Sequence, residues 1–355
     1  MSEKKKLLYI VESMGGGVFT YIVELANKLV EEYDVYIAYA LRPQTPSDYA
    51  SYFDEKIHLI KVENFTRAIN PVKDIKASAE IKKIVKNLKP DVVHLHSSKA
   101  GILGRLVLSS KKQKLFYTPH GYSFLMENCS AKKRKVYEVI EKTFGKKNCK
   151  TICCSVGEYK ESQNVTKNST FISNGIDINV LKKQIKSAEV KKKDKPTVFT
   201  IGRICNQKNP IEFNAIAKAL PNVDFVWIGD GELREELTSN NIEVTGWISR
   251  EEVIKNAMQG DIFILPSLWE GLPISLLESM YMQKVCIVSD IVGNRDVIIN
   301  EQNGYVCKNT EEFISRIEEN IDNLNKEVAQ NAYNSIIDTY NTDVISVLYN
   351  KEYVS

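Results

Sequence analysis

The stretch that decides the fold runs from Asp261 to Asp290 and reads "DIFILPSLWEGLPISLLESMYMQKVCIVSD". An apolar run, "DIFILPS", is followed by a segment of helical period, "ISLLESMYM", and then by a second apolar run, "VCIVSD". Short apolar runs that alternate with helices are typical of βαβ units, in which crossover helices join parallel strands. The stretch therefore predicts one parallel unit with a Gly-Leu-Pro loop between its first strand and its helix.

The same alternation extends over most of the 355 residues, a length that favours two domains. A turn signal at Asn174-Gly175 and a charged loop at Lys191 to Pro196 separate the two series. We expect an α/β protein with two Rossmann-like domains. The first takes residues 1–173 and a C-terminal helix that returns over 341–355, and the second takes 174–340. Further apolar runs begin at Leu7, Val35, Val92, Lys114, Thr151, Thr197, Asp224 and Glu243.

No segment predicts export or a membrane span. The N-terminal apolar run, Leu7 to Val11, is too short for a signal peptide, and no stretch approaches about 18 uncharged apolar residues. The seven cysteines are odd in number and show no C-x-x-C spacing. We therefore expect a cytoplasmic protein whose cysteines are small buried hydrophobic residues.

Charge is distributed unevenly along the chain. Residues 1–175 carry 29 Lys/Arg and 18 Asp/Glu, a formal +11, whereas residues 176–355 carry 19 and 27, or −8. Such asymmetry suggests that the first half meets an anionic surface or ligand, and a solvated lysine-rich surface is the simpler alternative.

Two loops that follow strands carry features of phosphate sites, because parallel α/β sheets bind ligands beyond the carboxyl ends of their strands. "VESMGGGVFTY" places Gly15 to Gly17 between a strand and a helix N-terminus, although a tight turn alone would also explain them. "TIGRICNQKNP" places Arg203 and Lys208 directly after a strand, where two cations suit a diphosphate. By itself, an Arg and Lys pair on a surface is weak support.

Glu270 and Glu278 flank the Gly-Leu-Pro loop of the first stretch. We expect Pro273 at the first helical position and the unbonded N–H groups of Gly271, Leu272, Ile274 and Ser275 beside the carboxylates. Carboxylates and N–H groups together suit a ligand that is rich in hydroxyls and also negatively charged, such as a nucleotide-sugar. An ordinary surface glutamate at 278 is less consistent with its apolar neighbours.

Histidines follow or lie within two strands of the first half. His120 in "YTPHGYSF" ends a strand, where it could donate a hydrogen bond to a hydroxyl or phosphate. His94 and His96 alternate with apolar residues, so both should face one side of a strand. A metal site would need a third ligand that the sequence does not identify.

The ordered set of motifs resembles the large family of retaining GT-B glycosyltransferases that carries an E-x7-E motif. The set comprises the glycine loop, "PHG", "SNGID", "GR....K", "IGDGEL", "EGLPISLLE" and "NGYV". The resemblance covers nearly the whole chain and implies two Rossmann-like domains facing a central cleft. It implies an enzyme that transfers a sugar from a nucleotide-sugar, with UDP-sugars as the first choice, by front-face attack.

The resemblance also implies roles for individual residues. Glu278 would hold the ribose hydroxyls and Glu270 the transferred sugar. Arg203 and Lys208, helped by Gly16 and Gly17, would neutralise the diphosphate, and His120 would contact the sugar. The catalytic residues would be Glu270, Arg203, Lys208 and His120. Donor binding would also use Gly16, Gly17, Gly229, Gly231, Trp247, Ile248, Gly271, Leu272, Pro273, Ile274 and Glu278.

The sequence departs from the family in "VGNRDVI", where Asn294 and Asp296 replace a common Gly and Glu and leave the donor open. No D-x-D occurs, so we expect no metal and no other cofactor. A nucleotide-sugar epimerase of the same fold and a non-catalytic nucleotide-binding module are the alternatives, and a nicotinamide-dependent oxidoreductase is a distant one.

The segment "SAKKRKVYEVIEKTFGKKNCK" holds the densest positive charge. Read as a helix, it places Lys132 to Lys135 in the first turns with Val136 and Ile140 beyond, which suggests peripheral binding to an anionic membrane. An inward-packed helix with solvated lysines is the alternative. The expected partners are thus a nucleotide-sugar, a glycan or polyprenyl-diphosphate-linked acceptor for cell-surface polysaccharide, and an anionic membrane surface, with no nucleic acid.

Overall fold

The structure is a computed structural model that describes residues 4–42, 45–66, 68–126, 129–188 and 195–355. The chain divides into two compact units. Unit 1 contains the described residues up to Leu125, Cys129–Asn174 and Thr342–Ser355. Unit 2 contains Gly175–Asn341 together with Met126. Most of the charged loop predicted at Lys191 to Pro196 lies outside the described residues.

Unit 1 is built on a seven-stranded parallel sheet with the order β3-β2-β1-β4-β5-β6-β7. The paired strands lie in register, for example Tyr9 beside His94 and Val11 beside His96. The strands are β1 (Lys5–Met14), β2 (Tyr33–Leu41), β3 (His58–Lys61), β4 (Val92–His96), β5 (Lys114–Thr118), β6 (Lys150–Cys153) and β7 (Ser169–Phe171).

Helices cover both faces of this sheet. They are α1 (Gly16–Leu29), α2 (Pro71–Leu88), α3 (Ser98–Val107), α4 (Ala131–Gly145), α5 (Val156–Ser162) and, from the C-terminus, α12 (Thr342–Val354). Helices α2 and α3 pack with Leu8, Ile10 and Leu95 on one face. Helix α4 lies on the same face, because its Glu141 accepts hydrogen bonds from Tyr117 of β5 and Arg105 of α3.

Helices α1 and α12 cover the opposite face, where buried aromatic residues meet. The Tyr21 hydroxyl of α1 donates to the Tyr349 hydroxyl of α12 at 2.6 Å. Tyr353 of α12 lies 2.6 Å from Nδ1 of His94 through its hydroxyl. The C-terminal helix, predicted within residues 341–355, therefore begins at Thr342 and supplies part of the core of unit 1.

Unit 2 is built on a six-stranded parallel sheet with the order β10-β9-β8-β11-β12-β13. Its strands are β8 (Thr197–Ile201), β9 (Asp224–Ile228), β10 (Ile242–Val244), β11 (Ile262–Leu265), β12 (Val285–Ser289) and β13 (Tyr305–Cys307). Its helices are α6 (Ile178–Ser187), α7 (Pro210–Ala219), α8 (Arg250–Gln259), α9 (Ile274–Tyr281), α10 (Thr310–Ile321) and α11 (Lys326–Asp338).

The two parallel α/β sheets confirm the predicted fold class. Every strand predicted from an apolar run is present, whereas β3, β7 and β13 were not predicted. These three have three or four residues each, but so do β6, β10 and β11, which were predicted, so length alone does not explain the omission. Pro273 is also misplaced by one residue, because α9 begins at Ile274 and Pro273 is its N-cap.

Six of the seven cysteines are buried and all seven are free thiols. Burial raises the pKa of Cys149 and of Cys307 to about 12, which makes these two thiols poor nucleophiles. In the part of the chain that the structure describes, no helix is both long and apolar enough to cross a membrane.

Candidate functional site

The topological switch point of unit 2 lies between β8 and β11. From these two central strands the strand order continues in opposite directions, to β9 and β10 on one side and to β12 and β13 on the other. Open α/β sheets bind their ligands at such points, beyond the carboxyl ends of the strands. The loop after β8 carries Arg203 and Lys208, and the loop after β11 carries Glu270. Two of the predicted loops are therefore neighbours across one crevice.

Hydrogen bonds fix these two loops to each other. The N–H of Leu268 donates to the carbonyl of Gln207 at 2.8 Å, and the Gln207 amide donates to the carbonyl of Trp269 at 3.1 Å. The same amide nitrogen also lies 3.1 Å from Oε2 of Glu270. Gln207 was not among the predicted residues, and a polar residue in a loop gives no signal of such contacts.

Glu270 is ion-paired with Lys208. The Lys208 Nζ donates to Oε1 of Glu270 at 2.7 Å, and only 8% of Glu270 is exposed. Burial destabilises a carboxylate that has no partner. The contacts with Lys208 and Gln207 compensate the negative charge of Glu270.

Glu278 has a different partner. Helix α9 is buried on nearly all sides, so a glutamate in its interior requires compensation. Arg250, the first residue of α8, supplies it with a two-pronged contact of 3.1 Å and 2.5 Å to the two carboxylate oxygens. Sequence reasoning missed Arg250, because nothing in the spacing of the two residues links them.

Arg203 points toward the loop after β9. Its Nε lies 3.8 Å from a carboxylate oxygen of Glu232, and its side chain is about one quarter exposed, at 24%. Arg203 therefore has the loosest ion pair of the predicted cations. Its guanidinium is accessible for a bidentate contact with an anion.

Glycines bring the loops after β8 and β9 into backbone contact. A Cβ atom at Gly229, where φ is +140°, would lie 2.3 Å from the carbonyl oxygen of Gly202. A Cβ at Gly231 would lie 2.2 Å from the carbonyl oxygen of Ile204. Both positions therefore require glycine.

The predicted base-binding segment lies next to this contact. Thr245 accepts a hydrogen bond from the Gly229 N–H at 3.0 Å, which places the Trp247 to Ile248 segment beside the Gly229 loop. Trp247 is largely exposed, with 59% of its surface accessible. An exposed tryptophan beside tightly packed glycines offers an aromatic face for a base.

The family departure at residues 293–296 also faces the loop after β11. A Cβ at Gly293 would lie 2.5 Å from the carbonyl oxygen of Gly271. Asn294 is fully buried, and its amide donates to the Ser289 carbonyl at 3.1 Å. Asp296 accepts from the Gly293 N–H at 3.2 Å. These two side chains hold the loop in shape.

The corresponding switch point of unit 1 lies between β1 and β4. Gly16, with φ at +58°, and Gly17 are exposed at the start of α1. The N-cap, Gly15, provides no side-chain bond to the first N–H groups of the helix. These N–H groups are therefore oriented toward any anion that reaches the carboxyl edge of this sheet.

His120 lies at the same edge in a backbone conformation that non-glycine residues rarely adopt, with φ at +56°. Its Nε2 is 3.0 Å from Nδ1 of His96, and its ring meets that of Tyr21 edge-on at 5.2 Å. Burial lowers the pKa of His120 to about 3, so the imidazole is neutral at physiological pH.

Glu158 supports the loop that carries His120. It is buried at the start of α5 and accepts hydrogen bonds from the N–H groups of Gly121 at 2.6 Å and Cys154 at 2.7 Å. Burial raises the pKa of Glu158. Sequence reasoning missed this residue as well.

His94 and His96 face the same side of β4, as predicted, but differ in their bonding. The Thr118 hydroxyl donates to the Ile152 carbonyl at 2.8 Å, so it accepts from Nε2 of His94 at 2.8 Å. His94 is therefore satisfied at both nitrogens. His96 is also fully buried, yet its Nε2 has no hydrogen-bond partner. No group of three or more potential ligands among the described residues could hold a metal ion.

The chain matches two adjoining glycosyltransferase families. Residues 15–180 match the family described as "Glycosyltransferase Family 4", and residues 182–335 match "Glycosyl transferases group 1". A relative in Escherichia coli is named "UDP-Gal:alpha-D-GlcNAc-diphosphoundecaprenol alpha-1,3-galactosyltransferase". It is 31% identical over 336 residues, which cover 84% of this chain and 85% of the relative. The chain therefore belongs to the same glycosyltransferase family as this relative.

Two further proteins are similar to the glycosyltransferase over nearly its full length. The E. coli protein named "O-antigen biosynthesis glycosyltransferase WbnH" is 22% identical over 349 residues, which cover 96% of this chain and 97% of that protein. The solved structure of Anabaena HepE in complex with UDP-glucose covers 98% of both chains with a TM-score of 0.76 at 16% identity. The likeness of fold confirms the GT-B architecture expected from the motifs.

Proposed function

We propose that the glycosyltransferase moves a sugar from a UDP-sugar to a polyprenyl-diphosphate-linked acceptor with retention of configuration. The product would belong to a cell-surface polysaccharide. The observation that carries this proposal is the crevice between β8 and β11, where Lys208 pairs with Glu270 and Arg250 pairs with Glu278. Such a crevice suits a donor with two hydroxyl-rich sugars and a diphosphate between them.

In this proposal Glu278 binds the ribose hydroxyls and Glu270 the transferred sugar. Arg203 and Lys208 stabilise the charge that develops on the diphosphate, which needs no metal ion for this purpose. The bond from the anomeric carbon to the phosphate breaks, and its electron pair leaves with UDP. The acceptor oxygen attacks from the same side, and its proton passes to the departing phosphate.

His120 contributes from unit 1 as a neutral hydrogen-bonding group. Because burial lowers its pKa to about 3, it can position a sugar hydroxyl without carrying charge. Gly16 and Gly17 present N–H groups at the start of α1 that suit a phosphate. The base would lie against Trp247 and Ile248 beside the Gly229 and Gly231 loop.

The donor and acceptor classes rest on the relatives. The galactosyltransferase named above acts on UDP-Gal and a diphosphoundecaprenol-linked sugar, and the HepE structure holds UDP-glucose. The name of WbnH refers to O-antigen biosynthesis. These names favour a UDP-sugar, a lipid-linked acceptor and polysaccharide assembly at the cell surface.

A donor screen with and without acceptor tests the proposal. UDP-, GDP-, ADP- and dTDP-sugars are supplied with a short-chain alkyl diphosphate-linked N-acetylglucosamine, and the released nucleotide and the anomeric configuration of the product are measured. We expect transfer from a UDP-sugar with retention. Conversion of the sugar without acceptor would identify an epimerase, and binding without turnover would identify a non-catalytic module.

We further propose that α4 binds the inner face of the cell membrane. Its first turn holds Lys132, Lys133 and Arg134 with no acidic residue, so an external anion would relieve their conflict with the helix dipole. Lys135 follows and pairs with Glu138 at 2.9 Å. Val136 and Val139 are each more than half exposed, which contradicts the inward packing of Val136. Anionic lipid contributes about 1 kcal/mol for each nearby basic residue.

Vesicle flotation tests this part of the proposal. Glutamate at Lys132, Lys133 and Lys135 should abolish binding to anionic vesicles at low salt, whereas glutamate at Lys182, Lys183 and Lys186 of α6 should not. These control lysines are exposed on unit 2. Equal binding by both triple variants and the parent would refute the role of α4.

A further inference from the structure

Helix α2 exposes apolar side chains at its start. Ile69, Val72 and Ile75 have between 64% and 77% of their surface accessible, and they recur at intervals of three residues. Isolated exposed apolar residues are common on soluble proteins, but three neighbours at one helix end form a patch.

The patch lies on the outer face of α2. The residues that pack on the sheet are Ala77, Ile81 and Val85. At 100° per residue, Val72 and Ile75 lie on the opposite side of the helix. Because the opposite face of α2 packs on the sheet, Val72 and Ile75 cannot be buried in the core of unit 1. The lysines that share this outer face are Lys76, Lys83 and Lys86.

Positive charge lies beside the apolar patch and continues along α2. Helix α2 contains five lysines and two acidic residues. Asp74 is engaged by Lys99 of α3 at 2.7 Å, and Glu80 accepts a hydrogen bond from Asn64. The five lysines, by contrast, pair with no carboxylate of the described residues. An apolar patch with unpaired lysines around it complements a surface that is apolar inside and anionic outside.

This patch and the exposed face of α4 belong to the same side of unit 1, because α2, α3 and α4 form one layer on the sheet. Their starts lie at the carboxyl edge of the strands. Lys99 of α3 bridges to Asp74 of α2, and the Ser98 hydroxyl is 3.2 Å from that of Ser123 in the loop that leads to α4. Exposed apolar and basic residues therefore occur near the starts of both α2 and α4, at the carboxyl edge of the sheet of unit 1.

We infer that Ile69, Val72 and Ile75 form the apolar part of a membrane-docking surface, and that its partner is an anionic lipid bilayer. The inference rests on the proposed function and extends it, because α4 alone would supply mostly charge. A bilayer fits better than a protein partner, since the lysines spread around the patch and form no fixed pattern of paired contacts. The apolar side chains enter the acyl boundary while the lysines contact head groups.

Paired double variants test the inference. Val72→Gln/Ile75→Gln removes the patch, and Val347→Gln/Leu348→Gln is the matched control. Val347 and Leu348 are exposed apolar residues of α12, which covers the other face of the sheet. The measurement is flotation with vesicles of equal parts phosphatidylglycerol and phosphatidylcholine. Two inserted side chains predict a loss of vesicle affinity of about tenfold or more for the α2 variant and none for the control.

Further measurements separate the possible failures. The thermal midpoint and the hydrolysis of UDP-galactose in the absence of lipid should match the parent in both double variants, because neither pair touches the donor crevice. Equal flotation of the α2 variant and the parent would overturn the inference, as would a parent that binds no vesicles. Absence of transfer from every donor would refute the proposed function while leaving vesicle binding interpretable.

A gain of signal gives an independent check. The three tryptophans of the chain lie at 227, 247 and 269, all in unit 2. Val72→Trp therefore adds the first tryptophan to unit 1. Its fluorescence should shift to shorter wavelength with phosphatidylglycerol-containing vesicles, and Val347→Trp should show no shift. No shift for Val72→Trp would contradict insertion.

Discussion

The two switch-point crevices can be compared directly, because each lies where a parallel sheet reverses its winding. In unit 2, between β8 and β11, the buried polar groups are charged and paired, as Glu270 with Lys208 and Glu278 with Arg250. In unit 1, between β1 and β4, the edge carries the neutral histidines His96 and His120, with the ring of Tyr21 edge-on to that of His120.

The difference shows that topology selects the place of a site and side chains select its chemistry. Charged pairs that are already formed can be rearranged around a diphosphate at a modest cost in desolvation. Neutral imidazoles can position a hydroxyl without repelling a cation or attracting a second anion. The charged crevice therefore suits the donor, and the neutral one suits a sugar hydroxyl.

Removal of a carboxylate from the charged crevice should have the largest effect. Glu278→Ala deletes the proposed ribose acceptor and breaks the two-pronged contact with Arg250. Two lost charged hydrogen bonds of about 1.5–3 kcal/mol each correspond to a fall in kcat/KM of about 10²- to 10⁴-fold. Steady-state kinetics with the UDP-sugar measure it.

The matched control is Glu252→Ala, which removes an exposed carboxylate of α8 that lies 3.6 Å from Nζ of Lys255. Its kinetics should equal those of the parent. If Glu278→Ala binds the nucleoside diphosphate as tightly as the parent does, Glu278 does not hold the ribose.

Acid should destabilise the neutral crevice by a few kcal/mol. Burial lowers the pKa of His94 and His96 well below 6.5 and that of His120 to about 3. Between pH 6.5 and those values the unfolded chain binds more protons, so the free energy of unfolding decreases as pH falls. Each histidine contributes about 1.4 kcal/mol per pH unit. Glu158, with its raised pKa, acts in the opposite direction nearer pH 4.5.

Hydrogen exchange between pH 7 and pH 5 measures this, after correction for intrinsic rates. All four histidines of the chain precede residue 121, so unit 2 contains none. Core peptides of unit 1 should lose protection before those of unit 2. Parallel loss of protection in the two units would contradict the assignment of neutral histidines to the folded state.

Arg250 offers a finer test of the charged crevice. We expect Arg250→Ala to raise the KM for the donor by about tenfold, because one partly exposed ion pair that orients Glu278 is lost. Arg250→Lys should recover part of the effect through a single contact. Arg316→Ala, which breaks surface pairs of α10, serves as the control.

A role in orienting Glu278 has a signature that general destabilisation lacks. The preference for UDP over 2′-deoxy-UDP, measured by calorimetry, should shrink in Arg250→Ala. If that preference is unchanged while both affinities fall equally, Arg250 supports only the local fold.

The smallest expected effect is that of a chelator. If the side-chain cations Arg203 and Lys208 offset the diphosphate charge, EDTA should leave turnover unchanged. The initial rate before and after EDTA measures it, with a second arm in which magnesium or manganese is added back. Loss in EDTA and recovery with either ion would assign the charge compensation to a metal.

The sequence alone predicted the fold class and the loops that carry the crevice of unit 2. Alternating apolar runs and helical periods are local properties, so strands such as β8 and β11 could be recognised without any knowledge of their neighbours. The short strands β3, β7 and β13 were not predicted, although β10, with three residues, was; a run of this length is a weak local signal, and pairing with neighbouring strands decides it. The predicted roles of Glu270, Glu278, Arg203 and Lys208 stay predictions.

Partners and faces were decided only by tertiary structure. Arg250 and Glu278 are 28 residues apart, and His96, at the end of β4, and His120, in the loop after β5, are 24 apart. Which side chains meet depends on which strands are neighbours, and local periodicity does not contain that information. The exposure of Val72 and Ile75 also depends on tertiary structure. The sequence identifies the apolar residues of a helix, but the packing of the helix on the sheet decides which of them are exposed.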